Sequence, residues 1–574
     1  MSEQPLEMRS AAVAYPPTGK TRVLQLPQLE ETGERARLNT LFLTTVLVSS
    51  YLLVWSTLST SIDKVDVGLL SMAHLLPPTY WAGFALLLAS TIIWYFGGET
   101  KAFHFLLVAL WMGYLFLGPE LMEAHPRGIS SYAQAWGISY VLEGRERDFF
   151  YFPWLGFHYT FAVLVELTDI TYLAMIRVGM LVMYLTLAAG LIVFFGRVLP
   201  DKKSVLLAIL SALAMVAVLG VGFTPHEMAF SMMLFALAFL ATLDASPVVN
   251  RLALISLFSV ILITHGLTAL VIVYVAAIAA LVHGKRLVGG GGSARTVSLS
   301  LSLLLAILFI AWLLYSSDFW FPNAVRTFRD SVLREPVAFT SPLTHVTPTR
   351  AGRADVSLLN FAFLGVLLVW LLSAVARRGF WSGLRGDRLF PLLVVSGLPV
   401  LILSTGSFSF EGFMRVFLYA IPFLAWFLAR ETVSRRSAVA FMLGLLGLSF
   451  VVLYAREFEE LPTSQEFAGA SFLVSGAGGD TNVIQGECLP LGAITATVDA
   501  PYTGCFSRQP SEAEPGPTDI RIYAFVVLSQ VGERTADFAF GKQWWEGLRS
   551  SVQASGYAKI YSNGEYDVFA RPPP

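Results

Sequence analysis

"AFHFLLVALWMGYLFLGPELMEAHPRGISSYAQAW", residues 102–136, decides how the whole chain is read. Its first half is apolar over residues 102–118, close to the length of a membrane-crossing helix. Its second half packs two carboxylates, a histidine and an arginine into the eight positions from Glu120 to Arg127. Such a stretch is either a reaction site at a membrane surface or the polar collar where a helix leaves the lipid.

The apolar half is one of many. Stretches of span length recur near 38–57, 79–96, 102–118, 178–195, 204–221, 228–243, 252–264, 267–283, 298–316, 357–376, 389–405, 414–430 and 438–455, about thirteen in all. Composition agrees, with 55% hydrophobic and 14% charged residues and a mean hydropathy of +0.64, far above that of a soluble globular protein. A net charge of -1 gives no sign of a nucleic-acid partner, and two cysteines make no zinc or redox framework. The expected fold class is an α-helical polytopic membrane protein.

Basic residues set the expected orientation, because Lys and Arg accumulate in short cytoplasmic loops. The polar leader, residues 1–37, holds Lys20, Arg22, Arg35 and Arg37, and its apolar run starts too late for a cleavable signal peptide, so it is read as a cytoplasmic tail. Lys101, Arg197, Lys202, Lys203, Arg251, Lys285, Arg286, Arg377, Arg378, Arg430, Arg435 and Arg436 then all fall in inner loops. Residues 38–455 form the transmembrane domain, with a Gly289–Gly292 linker inside it and outer loops at 119–177 and 317–356. An odd number of spans leaves residues 456–574 outside. In a multi-pass plasma-membrane protein of this orientation, Cys488 and Cys505 could close a small loop or stand as two free thiols.

The outer tail changes character. "IRIYAFVVLSQ" and "YAKIYSNGEYDVFA" are strand-like, the second with an Asn563-Gly564 hairpin turn, and "GKQWWEGLRSSVQASG" between them has helical amphipathicity. A small external α/β domain is expected. In the first large outer loop, short interfacial helices are expected over Ser130–Leu142 and His158–Leu167, with Tyr132, Trp136 and Tyr140 lying in the headgroup layer or merely anchoring the loop.

Candidate functional groups are the ionisable residues at outer span ends, where a membrane makes them costly. They are Glu120, Glu123, His125 and Arg127; Asp63 and Asp66 in the first outer loop; His226 and Glu227; His265 between two apolar runs; Glu411 and Arg415; and Arg326 and Arg329 in a cationic loop suited to an anionic lipid or glycan. Each also has a plainer reading as a satisfied helix end, a snorkelling side chain or a solvated loop.

Several motifs together resemble the GT-C class of multi-span glycosyltransferases, which includes protein mannosyltransferases, the aminoarabinose transferase and oligosaccharyltransferases. They are the acidic Glu120 and Glu123 at a span end, "SYAQAWGISYVLEG", "FFYFPWLGFHYTF", "TPHEMAF", "LITHGLTALVIVY", "FEGFMRVFLYAIPFLA", and the ending "KIYSNGEYDVF", which is similar to hairpin endings of archaeal members. The resemblance implies a GT-C-like fold and transfer of a sugar from a polyprenyl phosphate or diphosphate at the outer face. The acceptor would be a lipid, glycan or protein. Inverting transfer needs a carboxylate base and cationic or metal stabilisation of the leaving phosphate. The resemblance gives Glu123, or Glu120 beside it, the base role; helical spacing would set the two near one face. His265, Arg415 and Arg326 or Arg329 would hold the phosphate, with Mg or Mn as the metal if one is used. The chain departs from the family pattern at Ser130-Ser131, where members often carry an acid, and the loop follows the third span rather than the first. Asp63 and Asp66 therefore compete with Glu123, which is preferred for the aromatic platform around it. Two other functions fit the same features: a glycan polymerase or ligase using the arginine-rich loop, and a non-catalytic transporter or assembly subunit with a glycosyltransferase-like body.

Overall fold

A backbone in lipid must satisfy its own hydrogen bonds, so each apolar run is expected to fold as a helix. The computed structural model describes residues 33–63, 71–97, 101–126, 129–145, 155–219, 222–242, 247–286, 299–316, 354–375, 410–430, 435–456, 463–476, 483–485, 503–505, 524–530, 533 and 542–571. The helices are α1 Gly33–Ser59, α2 Pro78–Gly97, α3 Lys101–Met112, α4 Gly118–Met122, α5 Ile129–Leu142, α6 Gly156–Thr168, α7 Tyr172–Val198, α8 Lys202–Leu219 and α9 Pro225–Ala241. They continue as α10 Pro247–Thr264, α11 Gly266–Arg286, α12 Leu299–Tyr315, α13 Ala354–Val375, α14 Phe410–Arg430, α15 Arg435–Arg456, α16 Ser464–Gly476 and α17 Lys542–Ala554.

Among the described residues, six helices are long and apolar enough to cross a membrane: Arg37–Ser59, Pro78–Phe96, Phe105–Met122, Ala174–Val198, Lys202–Leu219 and Arg436–Leu453. Six shorter apolar helices lie at Pro225–Ala241, Val248–Thr264, Gly266–Ala280, Leu299–Tyr315, Ala362–Ser373 and Phe417–Arg430. Each of these coincides with an apolar run of the sequence; the run at 389–405 lies outside the described residues. The chain is a multi-pass helical membrane protein.

Helix α8 is apolar all round and is buried along its length from Val205 to Val218, as a helix without a polar face must be. It packs against α14, α15, α7 and α3 and forms the centre of the bundle. Helix α1 is the opposite case. Leu47, Tyr51, Val54, Trp55 and Leu58 are exposed on it, as befits a peripheral helix whose outer face meets lipid tails.

The two ends of the bundle separate as the charge pattern requires. At one end Arg197 donates to Thr242 Oγ1 (3.1 Å), Asn250 donates to the Thr242 carbonyl (2.6 Å), Lys203 lies over the Tyr95 ring, and Asp201 caps α8. At the other end residues 59–63, 122–126 and 463–467 meet, as do residues 222–226 and 264–266, and α5 joins the two groups.

Past α15 the chain builds a five-stranded sheet in the order β2-β1-β3-β5-β4. Its strands are β1 Val483–Gln485, β2 Thr503–Cys505, β3 Phe525–Ser529, β4 Ala558–Ser562 and β5 Tyr566–Ala570. β1 runs parallel to β2 and β3, whereas β5 is antiparallel to β3 and β4. Alternate residues face opposite sides. Val526, Leu528 and Phe569 meet Trp545, Leu548 and Val552 of α17; Val527, Val568 and Tyr566 meet Ala470 and Leu473 of α16. The β4–β5 hairpin turns at Asn563-Gly564 as expected, with Gly564 at φ +93° and Asn563 Oδ1 accepting from Tyr566 N (2.9 Å).

Candidate functional site

Helix α3 does not run straight into the acidic stretch. Residues Gly113–Leu117 form a π turn, closed by the Gly118 N–H on the Gly113 carbonyl. One added residue rotates everything after it by about 100° about the axis. The turn is pinned on both sides. Tyr114 OH donates to the Ser49 carbonyl (2.7 Å), Ser49 Oγ donates to the Gly83 carbonyl (2.8 Å), and Tyr80 OH donates to the Tyr114 carbonyl. A Cβ at Gly113 or Gly118 would press on Leu53, so these glycines let α1 approach closely.

After the π turn, α4 carries Glu120 into the interior and stops. Both carboxylates are buried, Glu120 at 1% and Glu123 at 2% exposure. The expected shared helical face does not form, because the helix ends at Met122 and Glu123 is its extended C-cap (φ -74°, ψ 138°). The reason is a strand-like pairing. Ile62 N donates to the Met122 carbonyl (2.7 Å) and Ala124 N donates to the Ile62 carbonyl (2.9 Å), so the segment after α1 lies alongside residues 122–124.

Arg177 of α7 completes the wall. Its guanidinium donates to the carbonyls of Glu123 and Ala124, each at 2.7 Å. Tyr132 of α5 closes the other side, its hydroxyl donating to the Pro126 carbonyl (2.7 Å). Tyr132 is buried at 1% exposure, so its place in the headgroup layer is corrected to a core position; the Pro126 carbonyl satisfies the hydroxyl that would otherwise oppose burial. Burial raises the Tyr132 phenol above its ordinary range, Glu120 adds to the rise, Arg177 opposes it and Glu123 adds the least. Glu120, Arg177 and Glu123 are therefore each within electrostatic reach of Tyr132.

Asp63 and His125 turn out to hold the start of α16, which packs on the C-terminal sheet. Asp63 Oδ1 accepts from Ser464 N at the start of α16 (2.8 Å), and His125 Nε2 lies 3.0 Å from Ser464 Oγ with its ring stacked on Phe467 (4.1 Å between centroids, 26°). Asp63 is exposed and engaged in capping, unlike the buried Glu123. The His125 imidazole is held below its ordinary range, first by burial, against which Asp63 works and to which Arg177 adds.

Helix α5 links this wall to a second cluster. Ser131 Oγ accepts from Phe223 N (3.0 Å), and Phe223 is wedged between Phe157 and Phe161 of α6, with centroids 4.7 and 4.6 Å away. The departure at Ser130-Ser131 thus has a structural use, since Ser131 ties α5 to the turn that opens α9. Beside it His158 Nε2 and Gln134 Oε1 share a buried hydrogen bond (2.8 Å).

In that second cluster the His226 ring meets His265 edge to face (4.8 Å, 72°) and lies 5.5 Å from the Tyr419 ring of α14. His265 Nδ1 is 2.9 Å from Thr268 Oγ1, which is 2.8 Å from Tyr419 OH. Glu227 lies in the first turn of α9. Pairing of His226 with His265 joins two residues that the sequence separates by a complete helical hairpin. Arg177, Tyr132, Thr268 and Tyr419 were missed as site residues, since a single polar residue in an apolar helix carries no local signal.

Arg415 and Glu411 lie in α14 and Cys505 in β2, their side chains outside the described residues, as are Asp66, Arg127, Arg326, Arg329 and Cys488 altogether. Among the described residues no group of three or more His, Cys, Asp and Glu is arranged to hold a metal ion.

Fold and site together define a multi-span helical membrane protein with ionisable groups buried at one end of its bundle, beneath a small α/β domain. No family model matches the chain, and no curated protein matches it. Among solved structures it is similar to ArnT from Cupriavidus metallidurans bound to undecaprenyl phosphate, at 13% identity and a TM-score of 0.47 over 86% of this chain and 98% of that one. The apo state of the same ArnT aligns at 13% identity and a TM-score of 0.44 over 82% and 97%. Likeness at that level transfers no residue role, and roles rest on this chain's own geometry.

Proposed function

We propose that the chain is a GT-C-class membrane glycosyltransferase that moves a sugar from a polyprenyl-phosphate-linked donor to an acceptor at the outer face of the plasma membrane, with its N-terminus cytoplasmic. The observation that carries the reading is the burial of Glu120 and Glu123 beside Arg177, at the same bundle end as the His226–His265 pair and joined to it through α5. Buried carboxylates are costly, and a bundle that keeps two of them has a use for them.

In this reading Glu123 takes the proton of the acceptor hydroxyl as its oxygen attacks the anomeric carbon. The bond from that carbon to the phosphate oxygen breaks, the configuration inverts, and the polyprenyl phosphate leaves with the bonding electron pair. Glu120, next along the chain and also buried, is the alternative base. His265 and His226 face the leaving phosphate as donors, with Arg415, Arg326 and Arg329 as cationic candidates. A lipid-borne donor also needs an apolar approach. Helix α6 offers one, because Tyr159, Val163 and Leu167 form an exposed stripe four residues apart.

The test uses the purified full chain in lipid nanodiscs with a panel of radiolabelled polyprenyl-phosphate sugars and candidate acceptors. Movement of label out of the lipid-phosphate pool is expected with at least one donor. If every monophosphate donor keeps its label while diphosphate-linked glycans are consumed, the polymerase or ligase reading replaces this one.

A further inference from the structure

The junction of α10 and α11 is one residue, His265, and its hydrogen bonds determine where the ring proton sits. His265 N donates to the Ile261 carbonyl (2.7 Å), ending α10, and the His265 carbonyl accepts from Ala269 N (3.3 Å), starting α11. His265 is therefore the N-cap of α11, and its side chain caps in the usual sense, with Nδ1 accepting from Thr268 N three residues on (3.4 Å). A backbone N–H can only donate, so Nδ1 presents its lone pair and the proton of the neutral ring is on Nε2.

The side chain of Thr268 acts in the same direction. Its Oγ1 is 2.9 Å from Nδ1, and facing a lone pair it donates. Its own lone pairs remain to accept from Tyr419 OH at 2.8 Å, which closes a chain from Tyr419 through Thr268 to His265. Thr268 is fully buried and Tyr419 nearly so, so water does not compete for these bonds. The neighbouring His226 ring, edge to face with His265 and close to Tyr419, packs the assembly from the α9 side.

We infer that Thr268 and Tyr419 are positioning residues that hold His265 as its Nε2–H tautomer, so that the ring presents a fixed hydrogen-bond donor to an anionic phosphate oxygen at this end of the bundle. The inference deepens the proposed function: the tautomer follows from this geometry alone, and the phosphate from the proposed donor class. Neither residue touches the reacting atoms; each acts through the ring it orients.

The experiment compares wild type, Thr268→Val, Thr268→Ser and Tyr419→Phe as full chains in nanodiscs, labelled with [15N]histidine, with the His265 signals assigned by loss in His265→Asn. The wild type is expected to show His265 with an unprotonated Nδ1 and a protonated Nε2. Thr268→Val leaves only the long backbone bond (3.4 Å) on Nδ1 and so shifts the ring toward a tautomer mixture, and Thr268→Ser restores the wild-type signature. Binding of polyprenyl phosphate weakens about fivefold in Thr268→Val and Tyr419→Phe, the size of one lost hydrogen bond, and stays near wild type in Thr268→Ser. A protonated Nδ1 in wild type, or a signature that ignores the Thr268→Val change, overturns the inference. If the tautomer follows Thr268 while wild type binds no polyprenyl phosphate, the positioning chain stands and the donor class proposed for the site falls.

Discussion

Glu123 is placed by its backbone. Pairing of residues 122–124 with Ile62 and the two bonds from Arg177 to the 123 and 124 carbonyls fix its Cα, so the carboxylate is aimed without a helix around it. Replacing Arg177 with Met strands the two carbonyls it binds, and should cost about 2 kcal/mol of stability. Thermal melts and turnover of the variant check this; an unchanged melting temperature would show that the carbonyls have another donor. At this scale half of the candidate cluster stands out in the sequence. Glu120, Glu123, His226 and His265 are legible because ionisable residues at the ends of apolar runs stand out. Arg177, Thr268 and Tyr419 are not, since Arg177 pairs with a partner 54 positions away and Thr268 meets Tyr419 across 151. The reverse error is Tyr132, whose aromatic, polar-tipped side chain reads as a surface anchor until the Pro126 carbonyl is found to satisfy it.

Helix α5 is the element on which the site depends, because it carries Ser131 to the α9 turn and Tyr132 to the acidic wall. Its seat depends on Phe223, and Phe223 in turn leans on Gly179 of α7, where an added Cβ would run into the ring. Gly179→Val should therefore displace the 222–224 turn, loosen the Ser131–Phe223 bond and lower both melting temperature and turnover. Gly196→Ala on the same helix has open space and should leave both near wild type, or slightly improve stability by about 0.5 kcal/mol. Equal effects of the two substitutions would mean that the Phe223 wedge carries no strain to the site. Elements were the most legible level of the fold. The α5 and α6 boundaries and the β4–β5 hairpin follow from periodicity and from Asn563-Gly564. The π turn at Gly113–Leu117 was not legible, since an extra residue within an apolar run leaves the composition unchanged while turning Glu120 inward.

The whole molecule is two bodies joined at the start of α16. Thr463 and Glu466 form a reciprocal capping box there, with Thr463 N donating to Glu466 Oε2 (3.1 Å) and Glu466 N donating to Thr463 Oγ1 (3.2 Å), while Asp63 and His125 bind Ser464 from the membrane body. Burial pushes the Glu466 carboxyl up to about 7; the Thr463 backbone and Ser529 oppose the rise, and Glu565 adds to it. The folded state thus binds the Glu466 proton more tightly than the unfolded chain. Its contribution to stability is present below about 4.5, falls as pH rises through about 7, and is lost above that. His125 works in the opposite sense below its ordinary 6.5, because its lowered value favours the neutral ring in the folded state. The clean reading is therefore the difference between wild type and Glu466→Gln, which keeps the cap. The variant's advantage in melting temperature should grow from pH 5 to pH 8, and a pH-independent difference would remove Glu466 as the cause. Catalysis by the buried acid at the C-terminal end of α4 is the step on which the proposed function depends. It is tested most directly by transfer of radiolabelled sugar from polyprenyl phosphate by wild type, Glu123→Gln and Glu120→Gln, each first shown to bind the donor. Turnover in wild type that drops at least about a hundredfold in Glu123→Gln with donor binding retained is the predicted result. Equal turnover in wild type and Glu123→Gln would contradict it.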